Sequence, residues 1–508
     1  MLHTPRSSSQ KAIFTLAAVC LASLMFGLEI SSVPVILPTL EAVLHGGFKD
    51  LQWIMNAYTI ACTGVLMATG TLADRYGRKR VFLISLALFG ITSLLCGLAS
   101  SSSMLIAGRF LQGMAGGAML ICQVAVLSQH FPSGAARGKA FSAWGIVFGI
   151  GLGFGPIIGA AIVALSNWQW VFLVHAPLAV LSLALVIAGV VESRDTQQRK
   201  LDVAGIATLS LAVFGLAWGI TQGAATGFGD SMVIASLAAA LASCMLFVLV
   251  QRRSSEPMMD FSVFRIRRFS GALLGSAGMN FSFWPCMMYL PLYFSNGLGY
   301  ASVGTGAALL AYTLPTLLVP PLGERLALRY RPDTVVPAGL FTIGLGFLLM
   351  YWGSSAAHAS WLTMLPGCLL AGIGLGLTNT PVTNTTTGAV PPERAGMASS
   401  IDISARMISL SINIALMGFI LLQGILSSLR EQYPALADAA HLRHLALALT
   451  AGQVAAGLGV SAEMASMALA HGFGWVMLYG GLSAWGMALA SWLVFGANRA
   501  APEPALPV

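Results

Sequence analysis

The chain has 508 residues, of which 57% are hydrophobic and only 9% charged, and its mean hydropathy is +0.81. That leaves too few polar groups to cover a soluble globule of this length, so the main solvent of the chain is lipid. The formal charge of +8 does not mark a nucleic-acid binder, because the basic residues recur in short clusters between apolar stretches and form no continuous stripe.

A helix needs about 20 apolar residues to cross roughly 30 Å of hydrocarbon. On that measure fourteen spans are predicted, near 12–36, 51–73, 80–99, 103–126, 139–164, 168–191, 202–222, 231–251, 269–295, 302–322, 334–353, 360–384, 395–423 and 472–496. The first is too long for the apolar core of a secretory signal, holds Glu29 and leads directly into further spans, so it reads as the first membrane helix. With the N-terminus in the cytoplasm, every Lys and Arg falls on the cytoplasmic side except Lys49, Arg430 and Arg443, which lie outside, and Arg109 and Arg406, which lie within spans. This asymmetry predicts two cytoplasmic termini. Residues 425–471 read as a long outer loop, in which the Ala- and Leu-rich stretch 444–460 forms a short helix on the outer surface or folded back on the bundle. Charged stretches near 192–202 and 252–268 divide the chain into a six-span bundle at 1–191, two further spans with their loops at 192–268, and a second six-span bundle at 269–508. The seven cysteines all sit in apolar stretches without metal-ligand spacing and read as packing residues.

Residues 70–80 read GTLADRYGRKR. A generic positive-inside loop would explain the basic residues, but not two glycines and an aspartate at fixed offsets. The segment resembles the loop between helices 2 and 3 of the major facilitator superfamily. Residues 105–118, LIAGRFLQGMAGGA, are similar to that superfamily's helix 4 motif, with Arg109, Gln112 and Gly113 in the motif places. Residues 151–160, GLGFGPIIGA, resemble its helix 5 antiporter motif through Gly151, Gly155, Pro156 and Gly159, with Ala160 in place of the last glycine. Small residues also permit tight helix packing in any membrane bundle, and the two readings are compatible.

The six, two, six pattern looks like the fourteen-spanner drug:proton antiporter family. That resemblance implies an all-α integral membrane protein of two six-helix bundles plus two inserted central helices. It implies proton-coupled efflux of small amphipathic compounds, cationic ones among them, by alternating access across the bacterial inner membrane. Export of one specific metabolite or natural product is the alternative. Substrate, protons and lipid are the expected partners of a monomer that is not an enzyme and carries no cofactor or metal. Two segments depart from the family pattern. Residues 28–38, LEISSVPVILP, carry Glu29 where the family has Asp and Pro34 where it has Asn, and residues 167–177, NWQWVFLVHAP, substitute Gln169 and His175.

Glu29, Arg109, Asp402 and Arg406 are the residues with formal charge that lie well inside predicted spans. A mid-bilayer charge costs about 2.5 to 3.5 kcal/mol on insertion scales, so each is expected to face the bundle interior and a partner or water. Asp402 and Arg406 are four apart and share a helix face, which suits a structural ion pair as well as a functional one. Glu29 has no charged neighbour in its own span. Burial disfavours its charged form, whereas a nearby Arg109 or a bound cation favours it, and a proton antiporter requires that competition. Glu29 is therefore the leading candidate for proton coupling or substrate binding and Asp402 the second, while the resemblance of the helix 4 motif implies that Arg109 tunes Glu29 or takes part in proton transfer.

By resemblance, Gly70, Asp74 and Arg78 form a conformational latch. Asp74 would face the N-terminal end of a helix in the other half, near Glu393 and Arg394, where the helix dipole favours an anion. Trp53, Asn56 and Tyr58, with Asn280 and Trp284 in an aromatic and methionine-rich run, combine the groups that suit flat lipophilic cations. Asn379 and Asn384 lie in TNTPVTNT, residues 378–385, a run too polar to face lipid. It reads as a cavity lining or as a source of interhelical hydrogen bonds. The sequence holds no P-loop, zinc-binding pattern or G-x-S-x-G elbow, which argues against ATP-driven pumping and hydrolysis.

Overall fold

The computed structural model describes residues 5–131, 134–194, 202–254, 257, 259–356, 358–390, 395–432, 439–450 and 461–496. These form helices α1 (Pro5–Leu44), α2 (Phe48–Tyr76), α3 (Arg78–Gly97), α4 (Ser102–His130), α5 (Gly134–Leu165), α6 (Gln169–Leu173), α7 (His175–Gly189), α8 (Val203–Thr226) and α9 (Ser231–Arg253). They continue with α10 (Arg267–Phe281), α11 (Phe283–Leu292), α12 (Ser302–Leu318), α13 (Pro320–Tyr330), α14 (Pro332–Ser354), α15 (Trp361–Gly388), α16 (Ala395–Gln432), α17 (Ala439–Thr450) and α18 (Ala462–Phe495). A helix satisfies its own backbone hydrogen bonds, which is what a hydrocarbon solvent demands.

Among the described residues, eleven helices are long and apolar enough to cross a membrane, or twelve if α12 and α13, which meet at a 44° bend, count as one span. The two remaining predicted spans correspond to α2 and to the pair α10 and α11, so fourteen spans are compatible with the structure. Three of the breaks coincide with prolines, although α1 and α15 run on through theirs. Proline cannot donate to the carbonyl four residues earlier and collides with it. Pro177 accordingly follows the break between α6 and α7, Pro285 follows the break at Ser282, and Pro320 opens α13 after the bend.

The segment between α16 and α18 is shorter than its sequence suggests. α16 runs on to Gln432 and α18 starts at Ala462, because Ile425, Leu426 and Leu429 bury the helix extension. α17 buries Leu442, Leu445 and Leu449 against α16 and α18, while residues 451–460 lie outside the described residues.

α1 packs on α5 and α7, α2 on α4, and α3 on α4 and α7; among the later helices, α14 packs on α15 and α18, and α10 on α15 and α18. α8 and α9 pair with each other, and α8 reaches both α2 and α16. The two groups meet where α5 packs on α12, α2 on α16 and α1 on α11. Their shared apolar core lies where α1 turns into α2, with Ile36, Leu40 and Leu51 clustered with Met287, Leu290 and Leu421. Large apolar side chains such as Leu88, Ile91, Leu241, Leu246 and Leu493 point outward, as lipid contact requires.

Candidate functional site

Glu29 and Arg109 meet inside the first group of helices, both almost wholly buried. Arg109 Nη1 pairs with Glu29 Oε1 and also donates to Gln112 Oε1 at 2.7 Å, while its Nε donates to the Ile54 carbonyl at 3.1 Å. Gln112 in turn donates to Ser93 Oγ at 2.9 Å. The guanidinium lies over the Tyr58 ring, with Cζ 4.3 Å from the centroid. A buried ion pair repays its desolvation only when its remaining hydrogen bonds are met, and Arg109 is held from three helices at once.

Glycines in α4 make this possible. A Cβ at Gly113 would fall 2.3 Å from the Tyr58 carbonyl oxygen, and one at Gly116 would fall 2.6 Å from the Tyr58 hydroxyl. The motif glycine thus lets α4 approach the α2 backbone closely enough to bring Arg109 under Tyr58.

His175 completes the cluster. It opens α7 just after the break that precedes Pro177, and its Nδ1 lies 3.5 Å from Glu29 Oε2 and 3.3 Å from the Phe172 carbonyl oxygen. The sequence marks this residue only as a departure from the family pattern. A histidine inside an apolar span was the available signal, but its partner depends on how α7 is rotated against α1.

The antiporter motif lies against the helix that carries Glu29. Cβ atoms at Gly155 and Gly159 would fall 1.8 Å from Ser31 Oγ and 2.8 Å from Ser32 Cβ, and Ser31 Oγ donates to the Gly151 carbonyl at 2.9 Å. The other face of α5 meets the second group of helices, where Thr313 Oγ1 donates to the Gly153 carbonyl at 2.6 Å. Pro156 leaves α5 without one internal hydrogen bond between these two contacts.

Asp402 and Arg406 form the expected pair, Nη2 to Oδ2 at 3.0 Å. Arg406 also donates to Asn379 Oδ1, and to Thr383 Oγ1 at 3.0 Å, so part of the polar run in α15 is tied to α16. Asp402 is buried, whereas the Arg406 side chain is 14% exposed.

The seven residues expected to line a cavity are spread over the molecule. Trp53 packs on Phe214 in an apolar groove of about 400 Å³ between α2, α4 and α8. Asn56 accepts from Ser411 at 3.5 Å between α2 and α16, and Tyr58 covers Arg109. Asn280 donates to the Ser276 carbonyl within its own helix, Trp284 packs on Phe283, Asn379 holds Arg406, and Asn384 is exposed. Between α2, α11 and α16, Gln52 donates to Tyr289 at 3.1 Å and to the Ile414 carbonyl at 3.2 Å. Sequence reading missed this bridge.

At the loop motif, Gly77 takes φ of +111° and Arg78 donates from Nη1 to Gln129 at 3.0 Å. Glu192, not singled out from the sequence, accepts from the Lys79 and Arg80 backbone N–H groups at 3.0 and 3.2 Å and so caps α3. The Gly70 position is open, with no atom within 4 Å of a Cβ built there. The Asp74 side chain, Glu393 and Arg394 lie outside the described residues.

A lipid-facing helical bundle with its charges folded inward, and with two groups of helices meeting along glycine-lined seams, defines a multi-pass membrane carrier of small molecules. The chain belongs to the Major Facilitator Superfamily, whose family model matches residues 19–414. It is 32% identical over 409 residues to the multidrug resistance protein Stp of Mycobacterium tuberculosis (strain CDC 1551 / Oshkosh), covering 80% of this chain and 76% of that protein. It is 31% identical over 432 residues to the tetracenomycin C resistance and export protein of Streptomyces glaucescens, covering 82% of this chain and 78% of that protein. Its fold is similar to the partially occluded inward open conformation of the xylose transporter XylE from E. coli, with a TM-score of 0.59, 12% identity, and coverage of 95% of this chain and 98% of that one.

Proposed function

We propose that the chain exports small amphipathic compounds, cationic ones among them, in exchange for protons by alternating access. The enclosed Glu29–Arg109 pair carries this reading. Protonating Glu29 would remove the charge that holds Arg109, and the guanidinium bridges α1, α2 and α4, so one proton biases the arrangement of three helices. Glu29 acts in coupling and not as a substrate contact, since its side chain is fully enclosed. The names of the relatives, resistance and export proteins, support drug export.

In this reading the protein is a monomer in the bacterial inner membrane with both termini cytoplasmic. Residues 1–191 and 269–508 act as the two rocking bundles, and 192–268 as an inserted pair. The α5 seam transmits motion between Glu29 and the second bundle, and Gly70, Asp74 and Arg78 latch the outward-open state. A second reading, export of one natural product, is favoured by a relative named for a single compound, tetracenomycin C.

The test is efflux of a fluorescent lipophilic cation from proteoliposomes under an imposed pH gradient, by wild type and Glu29→Gln. Gradient-driven efflux that is lost in the variant supports proton antiport through Glu29, and full activity in the variant sinks it. No efflux by either protein favours the single-compound reading.

A further inference from the structure

The Glu29 carboxylate has two different neighbours. Oε1 is taken by Arg109, whereas Oε2 has no hydrogen-bond partner among the described residues and points to His175 Nδ1 at 3.5 Å. His175 is 1% exposed, its Nδ1 is shared with the Phe172 carbonyl, and its Nε2 is buried without a partner among the described residues. Phe89 fixes the ring edge-on, with centroids 5.7 Å apart. Two acceptor oxygens beside Nδ1 favour the tautomer with hydrogen on that atom, which leaves the Nε2 lone pair available to a proton.

Among the described residues, the other charged or titratable groups around the cluster are Tyr58 and Cys62 from α2, Cys96 from α3 and Arg109 from α4. Phenols, thiols and guanidinium groups ordinarily titrate at about 10, 8.5 and above 12, and the carboxylate and imidazole are the two groups of the cluster that face each other across 3.5 Å.

We infer that His175 carries the coupling proton jointly with Glu29, as an imidazole–carboxylate dyad that receives the proton at His175 Nε2 and passes the Nδ1 proton to Glu29 Oε2. The inference rests on the antiport reading above. In the transfer the Nδ1–H bond breaks, an Oε2–H bond forms, and the imidazole returns to neutrality with its hydrogen on Nε2. While the proton is on the ring, Glu29 stays ionised and keeps Arg109. Once it reaches Oε2, the Arg109 pair is released. The family pattern has Asn where this chain has His175. An asparagine amide can replace the Nδ1–H donor but cannot carry a proton, so the dyad is not implied by the fourteen-spanner pattern that the segment resembles.

Two measurements test it. In nanodiscs, protein labelled with ¹⁵N in its histidine rings is titrated by NMR from about pH 5 to 9, and the His175 signals are those missing from His175→Asn. The ring is expected to change protonation within that range, with a midpoint that moves in Glu29→Gln. A ring that keeps one state throughout overturns the proposal.

In proteoliposomes with ethidium as the probe, His175→Asn is expected to keep exchange at equal pH while losing gradient-driven efflux about tenfold or more. Wild-type driven efflux in this variant overturns the proposal. So does loss of both activities in His175→Asn and His175→Gln alike, which would assign the residue to packing. A wild type that titrates as expected but moves no ethidium overturns the broad-substrate antiport reading and the coupling role argued from it, in favour of export of a single compound, and leaves only the shared titration.

Discussion

Ser31 donates its hydroxyl hydrogen to the Gly151 carbonyl at 2.9 Å, so the helix that carries Glu29 is fastened to the helix that carries the glycine motif. The same hydroxyl also lies 2.9 Å from the Gly27 carbonyl in its own helix, which keeps Ser31 pointed into the seam. The seam has no room for a side chain at Gly155. Gly155→Ala should therefore cost about 1 to 3 kcal/mol, the usual range for overpacking, and slow substrate exchange. Adding Ser31→Gly should restore much of both, because it removes the Oγ and Cβ that the new methyl group meets at 1.8 and 2.9 Å. Thermal unfolding and exchange rates of the single and double variants decide the point. No recovery in the double variant would mean that the seam tolerates no rearrangement.

Arg109 should not tolerate lysine. Its planar group serves Glu29, Gln112, the Ile54 carbonyl and the Tyr58 face together, whereas an ammonium is a compact point charge. Arg109→Lys should express, yet lose gradient-driven transport about tenfold, which corresponds to roughly 1.4 kcal/mol. Arg109→Ala should be destabilised by about 3 to 5 kcal/mol, since it strands Glu29 as an uncompensated buried charge. A thermal shift in which Arg109→Ala is as stable as wild type would contradict this account.

The Asp402–Arg406 pair should respond asymmetrically. Without Asp402, Arg406 keeps Asn379 and Thr383 and some solvent, so Asp402→Asn should cost about 1 kcal/mol, the worth of one ordinary hydrogen bond. Without Arg406, Asp402 is buried and unpaired, so Arg406→Gln should cost about 3 to 5 kcal/mol. The double variant should be more stable than Arg406→Gln alone. Equal melting temperatures for the two single variants would show that burial does not control the pair.

Gly77 and Glu192 make separate contributions to the start of α3. Gly77 sits at φ +111°, ψ +129°, and a Cβ there would lie 2.6 Å from the Glu192 carboxylate. Gly77→Ala should cost about 1 to 3 kcal/mol through strain. Glu192→Gln should cost less, about 0.3 to 1 kcal/mol, because it removes only an exposed anion at a helix N-terminus. The order of the two melting temperatures checks the assignment.

The sequence by itself determined the membrane solvent, the apolar spans and the intramembrane charges, because span length and hydrophobicity are properties of a linear run. The pairing of Asp402 with Arg406 was legible too, as both lie on one helix face four residues apart. The breaks before Pro177 and Pro285 and at Pro320 were not legible, because a proline alone does not decide a break: α1 runs on through Pro34 and Pro38, and α15 through Pro366 and Pro381.

Only the tertiary structure decided how the helices are rotated against one another. That rotation puts His175 beside Glu29, Glu192 at the start of α3, and Trp53 in an apolar groove against α8. In lipid both sides of a helix are apolar, so a hydrophobic pattern does not say which face turns inward. Close backbone contacts at Gly113, Gly155 and Gly159 fix those faces, and they form only when the partner helix is in place.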